Sequence, residues 1–300
     1  MESAFILGAG GTIGSALWET LLASGIPLEG TTRAGDPAKG LQRFDLASGS
    51  VLPSKPGAGV AYLCAADTEM SKCEADPVGT RMVNVFGVVK AARQLHDSGK
   101  FVVFLSSSAV FDGNESAPNE QSTPKPSSEY GRQKADAESQ LMKIGGVAIV
   151  RLTKVFGVNE KRIVAWREEL LAGHSIEPYK DLVMAPISLN YSLRLLESIG
   201  ENQASGIWHG SGDSDISYAE FTMLLAEALG VRRELIRPVT SGSKGAHLRY
   251  VPKYATMGMR TTSAAFGLQA QPIGHVVSQF IPSGTMNRPE ITMGFRHGPR

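Results

Sequence analysis

A tyrosine and a lysine four residues apart, Tyr130 and Lys134, are the side chains in this sequence best suited to acid–base chemistry. On a helix, that spacing places both side chains on one face. A free phenol has a pKa of about 10, and a nearby ammonium group lowers that value. The pair therefore predicts a tyrosine that acts as a general acid, with a pKa tuned by its lysine neighbour.

Three serines, Ser106 to Ser108, directly follow an apolar run that ends at Leu105. A hydroxyl at the carboxyl end of a parallel strand lies where open α/β sheets bind their ligands. A serine there can hydrogen-bond a substrate carbonyl or hydroxyl beside Tyr130. The alternative is a strand exit in which the serines only form turns and caps.

A glycine-rich turn lies close to the N-terminus, in the stretch ILGAGGTIG. A G-x-G-x-x-G reading would need a small residue at Ile13, so the spacing that fits is Gly8, Gly11 and Gly14. A strand before the turn and a helix after it form the context in which such a turn binds a pyrophosphate. A glycine-rich turn without a ligand is the alternative.

The residues after the second predicted strand bear on the choice between NAD and NADP. A carboxylate there would hold the ribose 2′-hydroxyl of NAD. This chain instead has Thr32 and Arg33, and the arginine fork suits a 2′-phosphate. The sequence therefore favours NADP over NAD, unless Arg33 is an ordinary solvated arginine.

These residues need an alternation of strands and helices to bring them together. The apolar runs predict buried strands at Ala4–Leu7, Val60–Ala65, Phe101–Leu105 and Val147–Leu152. Helical periodicity predicts helices over residues 13–24 and 80–96 and from Tyr218 to Leu229. This order predicts an α/β protein with a parallel sheet that is covered on both faces.

Composition excludes several classes of function. The chain has 300 residues, with 30 basic and 29 acidic ones and no long basic run, which argues against nucleic acid as a partner. No signal peptide and no membrane-spanning run is evident, so we expect a soluble, cytoplasmic protein without a membrane partner. The two cysteines and six histidines lack metal-ligand spacing, so no metal is expected. Cys64, in an apolar run, is expected to be a small buried side chain.

Six motifs together resemble the extended short-chain dehydrogenases/reductases, in the NAD-dependent epimerase/dehydratase group. The motifs are GAGGTIG, Asp45-Leu46, Ala65-Ala66, Asn84, SSSAVF and YGRQK. Within that group the chain is most similar to the nucleotide-sugar ketoreductases, of which the dTDP-4-dehydrorhamnose reductases are an example. The group's dehydratases have Asp-Glu after the catalytic hydroxyl residue, whereas this chain has Ser108-Ala109.

The resemblance implies a Rossmann-type doubly wound parallel sheet with a smaller C-terminal substrate-binding domain. It also implies roles for individual residues. The catalytic set would be Ser107, Tyr130 and Lys134, with Ser107, Ser108 and Lys154 facing the substrate. Cofactor contacts would come from Gly8, Gly11, Thr12, Ile13, Gly14, Arg33, Asp45, Leu46, Ala65, Ala66, Asn84, Tyr130 and Lys134.

The function expected from these observations is an NADPH-dependent reductase that acts on a ketone of a nucleotide-activated sugar. An epimerase that retains NAD and a catalytically silent cofactor-sensing module are the alternatives.

We expect a dinucleotide-binding domain over 1–156 with a return segment near 182–205, and an interleaved substrate-binding region over 157–285. Residues 286–300 are expected to be a flexible tail. The resemblance implies that the helices over 80–96 and 129–143 form a homodimer.

Overall fold

The apolar runs and periodic segments fold into alternating strands and helices in a computed structural model that describes residues 1–244 and 251–282. The strands are β1 (Ala4–Leu7), β2 (Leu28–Thr32), β3 (Gln42–Arg43), β4 (Gly59–Leu63), β5 (Lys100–Ser107), β6 (Val147–Leu152), β7 (Val155–Phe156), β8 (Val183–Met184), β9 (Ile187–Ser188), β10 (Gly206–Gly210) and β11 (Ile216–Ser217). The α-helices are α1 (Thr12–Ala23), α2 (Met70–Ala75), α3 (Pro77–Arg81), α4 (Val88–Asp97), α5 (Glu129–Met142), α6 (Lys161–Leu171), α7 (Leu189–Glu201), α8 (Tyr218–Leu229), α9 (Arg260–Phe266) and α10 (Ile273–Ser278).

Seven strands form one parallel sheet in the order β10-β6-β5-β4-β1-β2-β3. Apolar side chains on its two faces belong to separate clusters. One cluster joins the sheet to α1 and α7, and the other joins it to α4 and α5. The predicted α/β class, a Rossmann-type doubly wound parallel sheet, is confirmed.

The helix predicted over residues 80–96 is interrupted. The chain forms α3, then a π-helical segment Met82–Gly87, and then α4. Gly87 allows this segment to approach the turn after β3, since a Cβ on Gly87 would lie 2.9 Å from the Leu46 carbonyl carbon and closer still to its oxygen. Periodicity alone does not reveal such an inserted residue.

The strand predicted over Val60–Ala65 ends at Leu63. Beyond it the chain passes the glycine turn at a very short distance, because a Cβ on Gly8 would lie 2.7 Å from the Ala65 nitrogen. Ala65 and Ala66 therefore belong to the connection that follows β4, at the carboxyl edge of the sheet.

The second half of the chain adds a smaller apolar cluster beside the sheet. Its centre is a set of three aromatic rings in edge-to-face contact, Phe156, Phe221 and Phe280, packed between α6, α8 and α10. α7 and β10 return to the large sheet. The domain boundaries themselves remain a prediction, and the tail predicted over 286–300 lies outside the described residues.

Candidate active site

Two of the three motif glycines are explained by the packing of the fold. Gly8 has a φ of +91°, and its missing Cβ makes room for Ala65. A Cβ on Gly14 would lie 3.2 Å from the Ala9 Cα and would overlap the Gly8 carbonyl oxygen. Both positions therefore need glycine whether or not a ligand is bound.

Gly11 is different, because the protein leaves room for a side chain there. A Cβ on Gly11 would meet only the Gly8 carbonyl oxygen, at an ordinary 3.6 Å. Gly11 begins α1 without a side-chain cap, and it borders a cavity together with Thr12 and Ile13. Uncapped helix N–H groups and a space that a Cβ would fill suit the pyrophosphate of a dinucleotide.

A cavity of about 730 Å³ lies at the carboxyl edge of the sheet, as expected for an open α/β sheet. The predicted residues that line it are Gly11, Thr12, Ile13, Ala66, Ser107, Ser108, Tyr130, Lys134 and Lys154. The glycine turn, the serine strand exit and the tyrosine–lysine helix therefore meet in one place.

Helix α5 carries Tyr130 against the short 3₁₀ turn Ser108–Val110 that follows β5. The Ser128 hydroxyl caps the helix by accepting the Gly131 N–H at 3.1 Å. A Cβ on Gly131 would lie 3.0 Å from the Ala109 carbonyl carbon and closer still to its oxygen. Gly131 therefore allows the close contact that sets Tyr130 beside Ser107.

The phenol of Tyr130 is buried, and Cys73 and Ala109 pack around it. Burial raises the pKa of Tyr130 above its ordinary value, and a hydrogen bond with Ser107 lowers it only in part. Tyr130 therefore keeps its proton at neutral pH, which is the state that a proton donor needs.

Lys134 does not tune Tyr130 in the way the sequence predicts. Its Nζ donates a hydrogen bond of 2.7 Å to the Leu105 carbonyl oxygen and lies 5.9 Å from the centre of the Tyr130 ring. Burial lowers the pKa of Lys134 to about 8, and the charge of Glu138 opposes that effect. The predicted lowering of the Tyr130 pKa is not found, because burial dominates at both groups.

A buried polar network supports the site and was not expected from the sequence. Glu138, one turn after Lys134, accepts hydrogen bonds from Ser106 Oγ and from Arg151, whose Nη2 lies 2.7 Å from Glu138 Oε2. Arg151 in turn lies 3.4 Å from His209 Nε2, and His209 Nδ1 is 2.9 Å from the Gly258 carbonyl oxygen. Arg151 and His209 are both buried within this network.

The remaining predicted cofactor residues lie outside the cavity. Arg33 is exposed after β2, and the Asp45 carboxylate caps the next turn by accepting the Ala47 N–H at 2.9 Å. Leu46 is buried in the core, because its side chain packs with α4. Ala65 packs against Gly8, and Asn84 is buried and bonded to Asp67 rather than open to the cavity. Direct cofactor contacts by these residues stay a prediction.

Further residues that line the cavity were not identified individually from the sequence, because they belong to no motif. They are Thr68 and Met70 after β4, Glu160 at the start of α6, Met184, Tyr218, Pro252 and Ala255. Cys64, expected to be buried in an apolar core, is only half-buried and borders the cavity. Burial raises the pKa of its thiol to about 12, so it is not a nucleophile near neutral pH.

Neither a metal-binding cluster nor a membrane-spanning helix is found within residues 1–244 and 251–282. Those residues contain no group of three or more histidine, cysteine, aspartate or glutamate side chains arranged to hold a metal ion. None of their helices combines the length and the apolar character needed to cross a membrane.

Known proteins resemble this chain over most of its length. Methionine adenosyltransferase 2 subunit beta of Xenopus tropicalis is 25% identical over 259 residues, which are 81% of this chain and 77% of that protein. A protein of Haloferax volcanii named "Probable low-salt glycan biosynthesis reductase Agl14" is 26% identical over 247 residues, 78% of this chain and 82% of its own. The structure of dTDP-4-dehydrorhamnose reductase from Bacillus anthracis in complex with NADP superposes with a TM-score of 0.78 at 19% identity, covering 93% of this chain and 98% of that one.

A family model described as the RmlD substrate binding domain matches residues 2–285. That match spans the sheet, the cavity and the smaller apolar cluster. The family resemblance expected from the sequence is thereby confirmed, and the chain belongs to the RmlD substrate binding domain family.

Proposed function

We propose that this protein is an NADPH-dependent reductase that acts on a ketone of a nucleotide-activated sugar or a similar polar substrate. The observation that carries the proposal is the meeting of Ser107, Tyr130 and Lys134 with the Gly11 end of the glycine turn in one cavity. The neighbour from Bacillus anthracis, a dTDP-4-dehydrorhamnose reductase with NADP, supports both the cofactor and the substrate class.

The chain's own residues can perform the proton-transfer half of such a reduction. A bound reduced nicotinamide would supply hydride to the carbonyl carbon. Ser107 would hold the carbonyl oxygen by a hydrogen bond, and Tyr130 would donate its proton to that oxygen. The protonated state of Tyr130 at neutral pH fits this role. Lys134, held by the Leu105 carbonyl, would present its remaining N–H donors to the nicotinamide ribose.

The preference for NADPH rests on Arg33. Arg33 is exposed directly after β2, and this position therefore holds an arginine and not a carboxylate. Its planar fork suits a 2′-phosphate, and a 2′-hydroxyl would leave that fork without a partner.

The first experiment is to denature the purified protein, assay any released nicotinamide cofactor, and titrate the ligand-free protein with NADPH and NADH. Tight NADPH binding, weakened in Arg33→Ala while NADH binding is unchanged, supports the proposal. Stoichiometric NAD released from the wild-type protein would instead favour the epimerase that retains its cofactor. Tyr130→Phe is expected to abolish turnover of a ketone such as dTDP-4-dehydrorhamnose and to leave NADPH binding nearly intact.

A second candidate is a cofactor-sensing subunit without turnover. The specific observation in its favour is the relative named as a subunit of methionine adenosyltransferase, which covers 81% of this chain. NADPH binding with no oxidation of NADPH by any nucleotide-sugar ketone would favour this candidate over the reductase.

We also propose a homodimer through the helices around residue 82. Val78, Met82 and Phe86 follow one another at four-residue intervals, and their exposed fractions are 77%, 43% and 51%. Exposed apolar side chains at this spacing suit a protein partner, and a second copy of the chain is the partner that the family resemblance implies.

A further inference from the structure

Two fully buried amide side chains, Gln133 and Asn84, connect helix α5 with the loop that follows β4. Both are less than 2% exposed. Asn84 Nδ2 donates a hydrogen bond of 2.8 Å to Gln133 Oε1. Gln133 lies on α5 between Tyr130 and Lys134, the two residues proposed to do the chemistry.

Asn84 holds one residue of the loop through both of its backbone groups. Its Oδ1 accepts the Asp67 N–H at 2.8 Å, and its Nδ2 donates to the Asp67 carbonyl oxygen at 2.9 Å. The neighbours on either side, Ala66 and Thr68, line the cavity. The Asn84 amide therefore fixes a wall of the cavity in the way that a neighbouring strand would.

Gln133 determines which way the Asn84 amide faces. Gln133 Nε2 donates to Thr80 Oγ1 at 2.9 Å and to Glu129 Oε1 at 3.1 Å, while the Thr80 hydroxyl is committed to donating to the Asp76 carbonyl oxygen. The Gln133 oxygen is thus directed at Asn84 and can only accept. The Asn84 NH₂ group must therefore face Gln133, and the Asn84 oxygen is left to accept the Asp67 N–H. These hydrogen bonds are all satisfied in only one orientation of the two amides.

The π-helical segment Met82–Gly87 explains how Asn84 reaches both partners. A π-helical turn holds more residues than an α-helical turn, so side chains in this segment point in other directions than a regular helix would give them. Asn84 lies within the segment. Such single-turn insertions are frequent at functional sites.

We propose that Gln133 is a positioning residue that, through Asn84, sets the cavity wall Ala66–Thr68 at a fixed distance from Tyr130 and Lys134. This inference rests on the proposed function, because it matters only if a cofactor lies between that wall and helix α5. A shift of 1 Å in such a wall can cost about a hundredfold in rate.

The test compares Gln133→Met with a matched control, Gln94→Met. Gln94 also holds a loop residue by both backbone groups, since its amide accepts the Leu52 N–H at 2.9 Å and donates to the Leu52 carbonyl oxygen. Leu52 does not line the cavity. Each variant is assayed for thermal unfolding, for NADPH affinity by nicotinamide fluorescence, and for kcat and KM.

Both variants are expected to unfold at a lower temperature. Only Gln133→Met should weaken NADPH binding, by about tenfold, and lower kcat by about tenfold or more. Asn84→Ala should do the same, and the double variant should lose no more than the worse single one, because both residues act through one connection.

The possible failures are distinguishable. If Gln133→Met unfolds more easily yet keeps the NADPH affinity and kcat of the wild type, as expected for Gln94→Met, then Gln133 is only structural and the inference is overturned. Additive losses in the double variant would overturn it as well. A wild-type protein that binds neither NADPH nor NADH would overturn the proposed function, and the inference with it.

Discussion

Replacing Gly131 by alanine tests the contact that places the tyrosine–lysine helix. The new Cβ would lie 3.0 Å from the Ala109 carbonyl carbon, closer still to its oxygen, and 3.1 Å from the Pro126 Cβ. Two of these neighbours are backbone atoms, which cannot rotate away. Helix α5 and the turn Ser108–Val110 must therefore separate, by on the order of 1 Å.

The expected magnitude combines two opposing effects. Overpacking of this kind costs about 1–3 kcal/mol, whereas alanine in place of glycine within a helix gains about 0.5–1 kcal/mol. We expect Gly131→Ala to lower the free energy of unfolding by up to about 2.5 kcal/mol, as measured by urea denaturation. Because Tyr130 moves away from Ser107, kcat should fall by about a hundredfold.

Gly274 provides the matched control, because it also lies in a helix but a Cβ there would meet nothing within 4 Å. Gly274→Ala should leave kcat unchanged and raise the free energy of unfolding by up to about 1 kcal/mol. If Gly131→Ala proved as stable and as active as Gly274→Ala, the close contact between α5 and the turn would not be what positions Tyr130.

Further substitutions test the glycine turn, the exposed face at Phe86, and the buried His209 and Lys134. Gly11→Ala should weaken NADPH binding with little change in the urea midpoint, whereas Gly14→Ala should lower the midpoint itself; equal destabilisation by both would refute the distinction. Phe86→Glu should shift a dimer to monomer in sedimentation equilibrium without loss of helicity, and a wild-type monomer would refute the dimer. Burial holds the pKa of His209 well below 6.5, so the unfolded chain takes up the proton first and stability is lost as pH falls below 6.5; His209→Gln should flatten that part of the urea-midpoint profile. Lys134→Met should have a larger free energy of unfolding than the wild type at pH 7, and this difference should shrink as pH rises from 8 to 10.5. A difference that does not change with pH would refute the conclusion that burial of the Lys134 ammonium destabilises the fold.

The sequence predicted the order of the main elements because each buried strand is an uninterrupted apolar run. Val147–Leu152 was predicted with its exact bounds, and Ala4–Leu7 likewise. It could not predict the π-helical segment, in which Gly87 lets the chain pass close to a distant residue, Leu46. Contacts of that kind depend on the assembled sheet and leave no trace in local periodicity.

The candidate site, like the fold, was predictable only where a short motif carries it. Ser107 and Tyr130 were predicted from short motifs, and the sheet brings their motifs into one cavity. The network of Glu138, Arg151 and His209 was not predicted, because its members come from three separate elements and are joined only by burial. The reversed effect on the Tyr130 pKa has the same origin, as spacing indicates proximity but not the extent of desolvation.

The buried ammonium of Lys134 needs a physical explanation, because it lowers the stability of the fold. Its pKa of about 8 lies below the 10.5 of an exposed lysine, so burial of the ammonium destabilises the fold at every pH below about 8. Its hydrogen bond to the Leu105 carbonyl and the charge of Glu138 offset that cost only in part. An apolar side chain at this position would fold more stably beside Phe104, whose ring centre lies 4.5 Å from Lys134 Nζ. A buried ammonium that borders the cavity is therefore explained by something that enters the cavity, and a nicotinamide ribose bound as proposed would accept its remaining N–H donors.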